Sequence, residues 1–468
     1  MNFRVEKDSM GEVKVPADAY FGVQSTRSMN NFPISGFRLP PEQVEALVNI
    51  KAACAMANME LGILDAKKGN AIVRACREIA KGSLRDQFVV DIFQAGSGTS
   101  SNMNTNEVIA NRAAEMLGGK RGDRGLVHPN DDVNMGQSTN NVFPTSIRVA
   151  SIPLLKRLAA EAKGFHRILK KKEKEFDRVL KSGRTHLQDA VPVRMGQVFG
   201  AFARSIEKDI ERLVSKIPYV SELGVGGNAV GTGINTDPKF RSLIIKHLNA
   251  ETGEKFRVTK NGIEATHSTN DLADLSSAVN TLATDIHRIC NDLRLMSSGP
   301  KTGLNEIVLP AVEPGSSIMP GKINPTIPEA INMVCLKVFG NHQTVSLSAA
   351  SAQLELNVTM PVTGYALIES LKILASGIKV LGEKCVDGIK VNKEVCERYA
   401  MQSPSIATFL NPVIGYDRAS AVVKKALKEN KTIPEVVLEE KLLSKAELDR
   451  ILDPKKLTAP SRVAKRKK

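Results

Sequence analysis

The sequence contains no tryptophan, and aromatic side chains make up only 4% of its 468 residues. It has no apolar run long enough to cross a bilayer, which excludes a membrane-spanning chain. The first eight residues carry acids and lack an apolar core, so we expect neither a secretory nor a transit peptide. These absences predict a soluble, cytoplasmic globular protein.

Cysteines are few and scattered. None of the six belongs to a C-x-x-C pair, so we expect reduced, mostly buried thiols rather than disulfides or a zinc site. They are Cys54, Cys76, Cys290, Cys335, Cys385 and Cys396.

Basic residues outnumber acidic ones, with 65 Lys and Arg against 50 Asp and Glu. This balance suits either nucleic acid or a small anionic substrate. The scarcity of aromatics and the absence of a recognition motif make nucleic acid the weaker alternative. The basic run at 461–468 is interpreted as a disordered tail, with a localisation signal as the alternative.

Apolar residues recur at helical spacing over most of the chain. We therefore predict a mainly α protein with an N-terminal, mostly helical domain at 1–138, irregular until about residue 40. A central domain of long helices at 139–393 and a small helical C-terminal domain at 394–468 follow. The central seams extend over several heptads and favour helix packing between subunits, although an intramolecular bundle would also explain them. One such seam contains Leu272, Leu275, Val279, Leu282, Ile286, Ile289, Leu293 and Met296.

Three clusters of hydroxyl, amide and imidazole side chains interrupt the helical pattern. The first spans 96–107 and contains Thr99, the second spans 128–141, and the third spans 183–190 and contains His186. The first two suit a carboxylate ligand, and His186 in the third is a candidate catalytic residue. The alternative interpretation is a capped helix start for the first cluster, a turn with local hydrogen bonds for the second, and a structural histidine for the third.

A fourth polar segment, at 315–325, reads GSSIMPGKINP. Its glycines and prolines predict a loop with defined ends, and Lys322 and Asn324 suit an anion. The segment does not fit the phosphate-loop pattern, because Ile323 follows the lysine where Ser or Thr is required. The glycine-rich run at 224–233 likewise follows a helical seam rather than a strand, so we interpret it as a connecting loop and not a dinucleotide site.

The loop at 315–325 strongly resembles the signature of the fumarase/aspartase superfamily, and the three polar clusters match its three signature regions. This family comprises homotetrameric lyases that add or eliminate across the double bond of fumarate-like acids. The resemblance extends from Val15 to the C-terminal region. It implies a three-domain fold, a tetrameric core of twenty helices, active sites each built from three subunits, and no metal or organic cofactor.

The resemblance also implies roles for individual residues. Ser316 would be the base, and Lys322 and Asn324 would hold the carboxylate of the dianionic intermediate. Glu329 would support His186. The remaining substrate contacts would come from Thr99, Ser138, Thr139, Asn140, Thr185, His186 and Ser317, and a peripheral dicarboxylate site from His128, Asn130 and Asp131.

Two branches of the family remain as alternatives. The segments Gln137–Asn140 and Pro325–Glu329 favour the aspartase branch, which eliminates ammonia from L-aspartate, over the class II fumarase branch, which dehydrates L-malate. Asn141 departs from the aspartate that both branches usually carry. A non-catalytic scaffold is a further alternative, but intact Ser316, Lys322 and His186 argue against it.

Overall fold

The computed structural model of this chain describes residues 2–315 and 317–460. Short strands form four two-stranded sheets in this part of the chain. The strands are β1 (Phe3–Asp8), β2 (Gly11–Pro16), β3 (Leu180–Thr185), β4 (Gln188–Arg194), β5 (Glu222–Leu223), β6 (Arg257–Val258), β7 (Ile307–Val308) and β8 (Lys390–Val391). All pairs are antiparallel except β5 with β6.

Helices account for most of the described chain. The first group comprises α1 (Val23–Asn31), α2 (Pro41–Glu60), α3 (Ala66–Ala80) and α4 (Thr99–Met116). The second comprises α5 (Thr139–Glu175), α6 (Met195–Val220), α7 (Phe240–Thr252), α8 (Gly262–His267), α9 (Asn270–Met296), α10 (Thr326–Ala350) and α11 (Met360–Lys384). The last comprises α12 (Lys393–Gln402), α13 (Asn411–Ile414), α14 (Tyr416–Glu429), α15 (Ile433–Glu439), α16 (Lys445–Ile451) and α17 (Pro454–Leu457).

The long apolar seams are buried as predicted. All eight seam residues of α9 lie in the core, and Leu367, Leu371, Leu374, Ile378 and Leu381 of α11 are inaccessible to solvent. Each such side chain contributes roughly 1.5–3 kcal/mol through burial. The mainly α fold class is therefore confirmed.

The prediction of an irregular start was wrong. Strands β1 and β2 form a hairpin, and α1 follows. The side chain of Glu107 in α4 accepts hydrogen bonds from the backbone N–H groups of Gly22, Gln24 and Ser25, so it satisfies the donors at the start of α1. This partner is about eighty residues distant in sequence, where local patterns give no sign of it.

Contacts divide the chain into two compact units. Unit 1 comprises residues 1–160, 211–283 and 335–375, and unit 2 comprises 161–210, 284–334 and 376–468. The division into three domains at 138 and 393 stays a prediction. Within the described residues, no helix is long and apolar enough to cross a membrane.

Two C-terminal helices of unit 2 begin at sequence patterns typical of helix starts. Thr432 with Glu435 and Ser444 with Glu447 form reciprocal capping boxes at the starts of α15 and α16. A separate apolar cluster stabilises this region, with Ile406, Leu410, Val436 and Val437 among its buried members. The predicted disordered tail at 461–468 lies outside the described residues.

Candidate active site

The first polar cluster lies where α4 begins, in unit 1. Gly98 has a φ of +91°, and a Cβ at this position would collide with the ring of Phe143. Ser97 also adopts a positive φ, and its backbone N–H donates to the carbonyl of Val358 at 3.0 Å. No side chain caps this helix start, in contrast to the alternative interpretation of the cluster. The strained turn leaves Thr99 exposed.

The second cluster ends at the start of α5, where it contacts the first cluster. The Oγ of Ser97 lies 3.5 Å from the Oγ1 of Thr99 and donates to the Oδ1 of Asn140 at 3.4 Å. The Nδ2 of Asn140 donates to the carbonyl of Ala229 at 2.8 Å, and its backbone N–H donates to the Oγ of Ser138 at 3.2 Å. Unit 1 thus brings Thr99, Ser138 and Asn140 together, while the neighbouring Thr139 is buried.

Asn141 is fully buried behind these residues. Its Nδ2 donates a short hydrogen bond to the carbonyl of Asn228, in the glycine-rich loop. A deprotonated aspartate could not donate this bond. The departure from the family pattern is therefore matched by a contact that needs an amide.

The third cluster forms the tip of the β3–β4 hairpin in unit 2. His186 and Leu187 both have positive φ values, as a tight two-residue hairpin loop requires. Thr185 and His186 are exposed at this tip. The hairpin therefore presents both predicted site residues to solvent.

The base of this hairpin carries buried charges. Glu306 is inaccessible to solvent, and it pairs with the Nη1 of Arg184 at 2.7 Å and the Nζ of Lys181 at 3.3 Å. Its backbone carbonyl accepts from the N–H of Asn392 at 2.9 Å. Two cations of β3 thus pair with the single carboxylate of Glu306 near the hairpin tip.

The predicted anion-binding loop also belongs to unit 2. It connects β7 to α10, and Ser316, the predicted base, lies outside the described residues. The Nδ2 of Asn324 donates to the carbonyl of Gly315 at 2.9 Å, which ties the two ends of the segment together. Ser317 and Lys322 are exposed. The loop is confirmed as a loop with defined ends.

A cavity of about 460 Å³ adjoins this segment. Its lining includes Lys322 and Asn324 together with Arg294, Ser298 and Asn305. The last three were not identified as site residues from the sequence, although they extend the polar surface around the predicted carboxylate site. Glu329 lies in the first turn of α10, and no hydrogen bond joins it to His186 among the described residues.

The predicted peripheral residues surround a short helical turn at Pro129–Val133 in unit 1. The Nδ1 of His128 accepts from the backbone N–H groups of Asn130 and Asp131 at 3.3 and 3.1 Å. This arrangement assigns the ring proton to Nε2, which leaves that atom as a donor for a ligand. Asn130 and Asp131 are exposed beside it.

Metal-ligand clusters are not found in the described part of the chain: no group of three or more His, Cys, Asp or Glu side chains there could hold a metal ion. The six cysteines are reduced and buried, as predicted. The predicted substrate contacts carry mainly hydroxyl, amide, imidazole and ammonium groups. Such a set binds carboxylates and stabilises developing negative charge.

Comparisons with known proteins agree with this chemistry. Residues 11–340 match the family model described as Lyase, and residues 406–459 match the one described as Fumarase C C-terminus. The chain is 44% identical to an aspartate ammonia-lyase from Bacillus sp over 98% of both chains. It is 48% identical to a class II fumarate hydratase from Halobacterium salinarum, over 98% of this chain and 97% of the relative.

Solved structures of two proteins from this family are also similar to this chain. The fumarate lyase:delta crystallin from Brucella melitensis bound to cobalt superposes with a TM-score of 0.95 and 46% identity, covering 98% of this chain and all of the other. The class II fumarase from Schistosoma mansoni gives a TM-score of 0.92 and 38% identity, over 97% and 98% of the two chains. The fold and these relatives define a lyase. The chain belongs to the fumarase/aspartase superfamily, within the branch that contains aspartases and class II fumarases.

Proposed function

We propose that this lyase is an aspartate ammonia-lyase, which eliminates ammonia from L-aspartate to give fumarate. The observation that carries the proposal is the orientation of Asn140. Its Nδ2 donates to the carbonyl of Ala229, and its Oδ1 accepts from the Oγ of Ser97, which lies 3.5 Å from the Oγ1 of Thr99. An α-ammonium group donates three hydrogen bonds and therefore needs acceptor oxygens of this kind.

The residues of unit 2 would act at the other end of the substrate. In the proposed reaction, the alkoxide form of Ser316 takes a proton from the carbon next to a carboxylate and becomes a neutral hydroxyl. The resulting aci-carboxylate dianion is held by Lys322, Asn324 and Ser317. The C–N bond then breaks, and its electron pair leaves with ammonia. Removing one preorganised donor from such an intermediate typically costs about 10² to 10³ in rate.

The proposal assigns the remaining residues to binding and proton handling. Thr99, Ser138 and Thr139 bind the second carboxylate or the amine, and Thr185 and His186 supply contacts from the hairpin tip. Glu329 would orient His186 in the assembled enzyme. The two ends of the substrate are thereby bound by different sets of residues.

Class II fumarate hydratase is the second candidate. The observation that favours it is the 48% identity to the Halobacterium salinarum fumarate hydratase, against 44% to the Bacillus aspartate ammonia-lyase. The same base and carboxylate site would serve both reactions. The leaving group alone distinguishes them.

The test offers the purified enzyme L-aspartate and L-malate separately and follows fumarate by its ultraviolet absorbance. We expect kcat/KM for L-aspartate to exceed that for L-malate at least a hundredfold, equivalent to about 2.7 kcal/mol. The reverse reaction provides the control, because fumarate should yield aspartate only when ammonium is present. Comparable or faster turnover of malate would replace this proposal with the fumarate hydratase.

A homotetramer is part of the proposal. In unit 1, α10 exposes Leu336, Gly340 and Leu347 at heptad-like spacing, and the two leucines are 58% and 67% exposed. Apolar residues at this spacing are typical of a helix that packs against further helices. We expect the mass of a tetramer in solution.

Active sites shared between subunits make a second test possible. Inactive Ser316→Ala and His186→Ala subunits are denatured and refolded together, and activity is compared with each variant refolded alone. If the two residues reach a site from different subunits, some hybrid sites carry neither lesion, and partial activity returns. Mixed tetramers without activity would contradict shared sites.

The proposal also includes the peripheral site at His128, Asn130 and Asp131. Its support is the ring Nε2 of His128, which is left as a donor beside exposed backbone and side-chain groups. Binding of a dicarboxylate there would be tested by comparing the number of sites titrated in wild type and in His128→Ala.

A further inference from the structure

Lys51, in α2 of unit 1, is a lysine without any solvent exposure. Its Nζ donates to the Oδ1 of Asn134 at 2.7 Å. Among the described residues, no carboxylate forms an ion pair with it. Burial lowers the pKa of Lys51 to about 7. A buried, unpaired lysine is costly, and its presence requires an explanation.

The acceptor of Lys51 connects the two site segments of unit 1. The Oδ1 of Asn134 also accepts from the Nδ2 of Asn102 at 3.3 Å, and the Nδ2 of Asn134 donates to the carbonyl of Gln137 at 3.2 Å. Asn102 lies one turn after Thr99 in α4, and Gln137 directly precedes Ser138. Lys51 is therefore bonded to the side chain that joins both segments.

A second hydrogen bond holds the segment before Ser138 against α2. The Nδ2 of Asn58 donates to the carbonyl of Met135 at 3.1 Å. Because Asn58 is two turns after Lys51, both side chains extend from one face of α2. The segment that leads into Ser138 is thus held at two successive points.

The surroundings of Lys51 contain more acceptors than donors. The Oδ1 of Asn102 and the Oε1 of Gln137 are buried and have no hydrogen-bond partner among the described residues. An excess of amide oxygens favours a positively charged group. The polar network therefore suits an ammonium better than a neutral amine.

The titratable groups that face Lys51 are the thiols of Cys54 on α2 and Cys76 on α3, whose pKa values burial raises. These thiols stay neutral near pH 7. On α4, the carboxylate of Glu107 is bound by Ser25 and backbone N–H groups. Several charged side chains on elements packed against α2 form ion pairs: Lys68 with Asp132, Arg77 with Glu251, Lys246 with Glu60, and Arg112 with Glu78. The Nε2 of His247 also contacts Glu60.

We propose that Lys51 is a positioning residue: its buried ammonium, acting through Asn134, orders the Thr99 and Ser138 segments and strengthens binding of a dianionic dicarboxylate. The inference rests on the proposed function only in the class of ligand, since aspartate, malate and fumarate share two carboxylates. A dicarboxylate favours the charged lysine, and by linkage the charged lysine favours the dicarboxylate.

The linkage between ligand binding and protonation of Lys51 predicts how affinity depends on pH. Because ligand binding raises the pKa of Lys51, the complex takes up part of a proton at and just above pH 7. Affinity consequently falls as the pH rises through this range. A lysine that only filled space would produce neither effect.

The test titrates the full-length, assembled enzyme with succinate, a dicarboxylate that cannot undergo elimination, in calorimetric buffers of different ionisation enthalpy. The variant Lys51→Met preserves the length of the side chain and removes its charge. Below pH 7 we expect succinate to bind it about tenfold more weakly than wild type, because the attraction between the buried ammonium and the dianion is lost. The difference should shrink by pH 9, and proton uptake should be lost.

A matched control removes the same charge elsewhere in unit 1. Lys372→Met breaks a partly exposed pair with Glu42 and should preserve both the affinity and the proton uptake. Because histidines titrate in the same pH range, the proton uptake is assigned by its loss in Lys51→Met and not by its pH alone. In turnover assays, KM should rise in Lys51→Met while kcat changes less than about threefold, as expected for lost uniform binding.

Asn134→Asp supplies a second variant should Lys51→Met fail to fold. The new carboxylate would pair with Lys51 and raise its pKa, so the proton uptake should move to higher pH by at least about one unit. Unchanged proton uptake in either folded variant would overturn the inference. Failure of the wild type to bind succinate, fumarate or aspartate would instead overturn the proposed function.

Discussion

The two units each bury a charged side chain next to predicted site residues, but they surround it differently. Lys51 in unit 1 is held by a neutral amide, that of Asn134. Glu306 in unit 2 lies between two cations, Arg184 and Lys181. Both side chains are completely inaccessible to solvent.

The difference determines how the protein responds when each buried charge is removed. A carboxylate between two cations is stabilised by Coulomb attraction, and its removal leaves the cations unpaired. A lysine among amides has no such compensation, and the pKa of Lys51 falls to about 7. Unit 2 therefore uses its buried carboxylate as an anchor for two cations, while unit 1 holds a lysine that changes charge near neutrality.

The largest effect on stability is expected from Glu306→Leu. This change leaves Lys181 and Arg184 without their shared carboxylate and should destabilise the protein by about 3–5 kcal/mol. Glu306→Gln is the matched control, because its amide oxygen still accepts from Arg184, and its loss should be smaller. Denaturant unfolding of the assembled enzyme measures both. A loss below about 1 kcal/mol for Glu306→Leu would show that the cluster is not an anchor.

Lys322→Met removes the charge of an exposed lysine, for comparison with the buried Lys51. Because Lys322 is expected to stabilise the intermediate, kcat should fall by about 10² to 10³, equivalent to roughly 2.7–4 kcal/mol. Its unfolding midpoint should stay within a few degrees of wild type, since an exposed loop ammonium contributes little to packing. Steady-state kinetics and thermal unfolding on the same preparation separate the two effects. A rise in KM at constant kcat would assign Lys322 to binding alone.

Local patterns were sufficient to predict several of the long helices and the positions of the polar clusters. The seam of α9 and the capping box of Thr432 with Glu435 depend on residues three or four apart, which the sequence displays directly. The loop before α10 was predicted for the same reason, because Gly321 and Pro325 restrict the local backbone. The family resemblance then supplied roles that these patterns do not contain.

Contacts between distant segments were not predictable in this way. Lys51 meets Asn134 across 83 residues, and Arg184 meets Glu306 across 122. One signal was present: Lys51 lies three or four residues from Leu47, Val48 and Ala55, within the apolar face of α2. A charged residue on such a face predicts a buried polar partner without identifying it.

Lys51→Met should stabilise the protein while weakening substrate binding. The pKa of Lys51 is about 7 in the folded protein and near its ordinary value of 10.5 in the unfolded chain. Between these values the unfolded chain binds more protons, so wild-type stability rises with pH there. The advantage of Lys51→Met should be complete below pH 7, about 1–4 kcal/mol, and decrease toward pH 10. Unfolding at pH 6, 8 and 9 measures it, and a constant difference would contradict the assigned titration.

Lys372→Met should produce the smallest change and shows whether burial, rather than charge, distinguishes Lys51. Lys372 pairs with Glu42 at 2.8 Å, and the two side chains are 35% and 29% exposed. Solvent screens such a pair, so its loss should change the unfolding free energy by no more than about 1 kcal/mol. Added salt should reduce even this difference, whereas it should leave the effect of Lys51→Met nearly unchanged. If Lys372→Met instead gave a large, salt-independent change, net charge would explain both variants, and the contrast between buried and exposed lysines would fail.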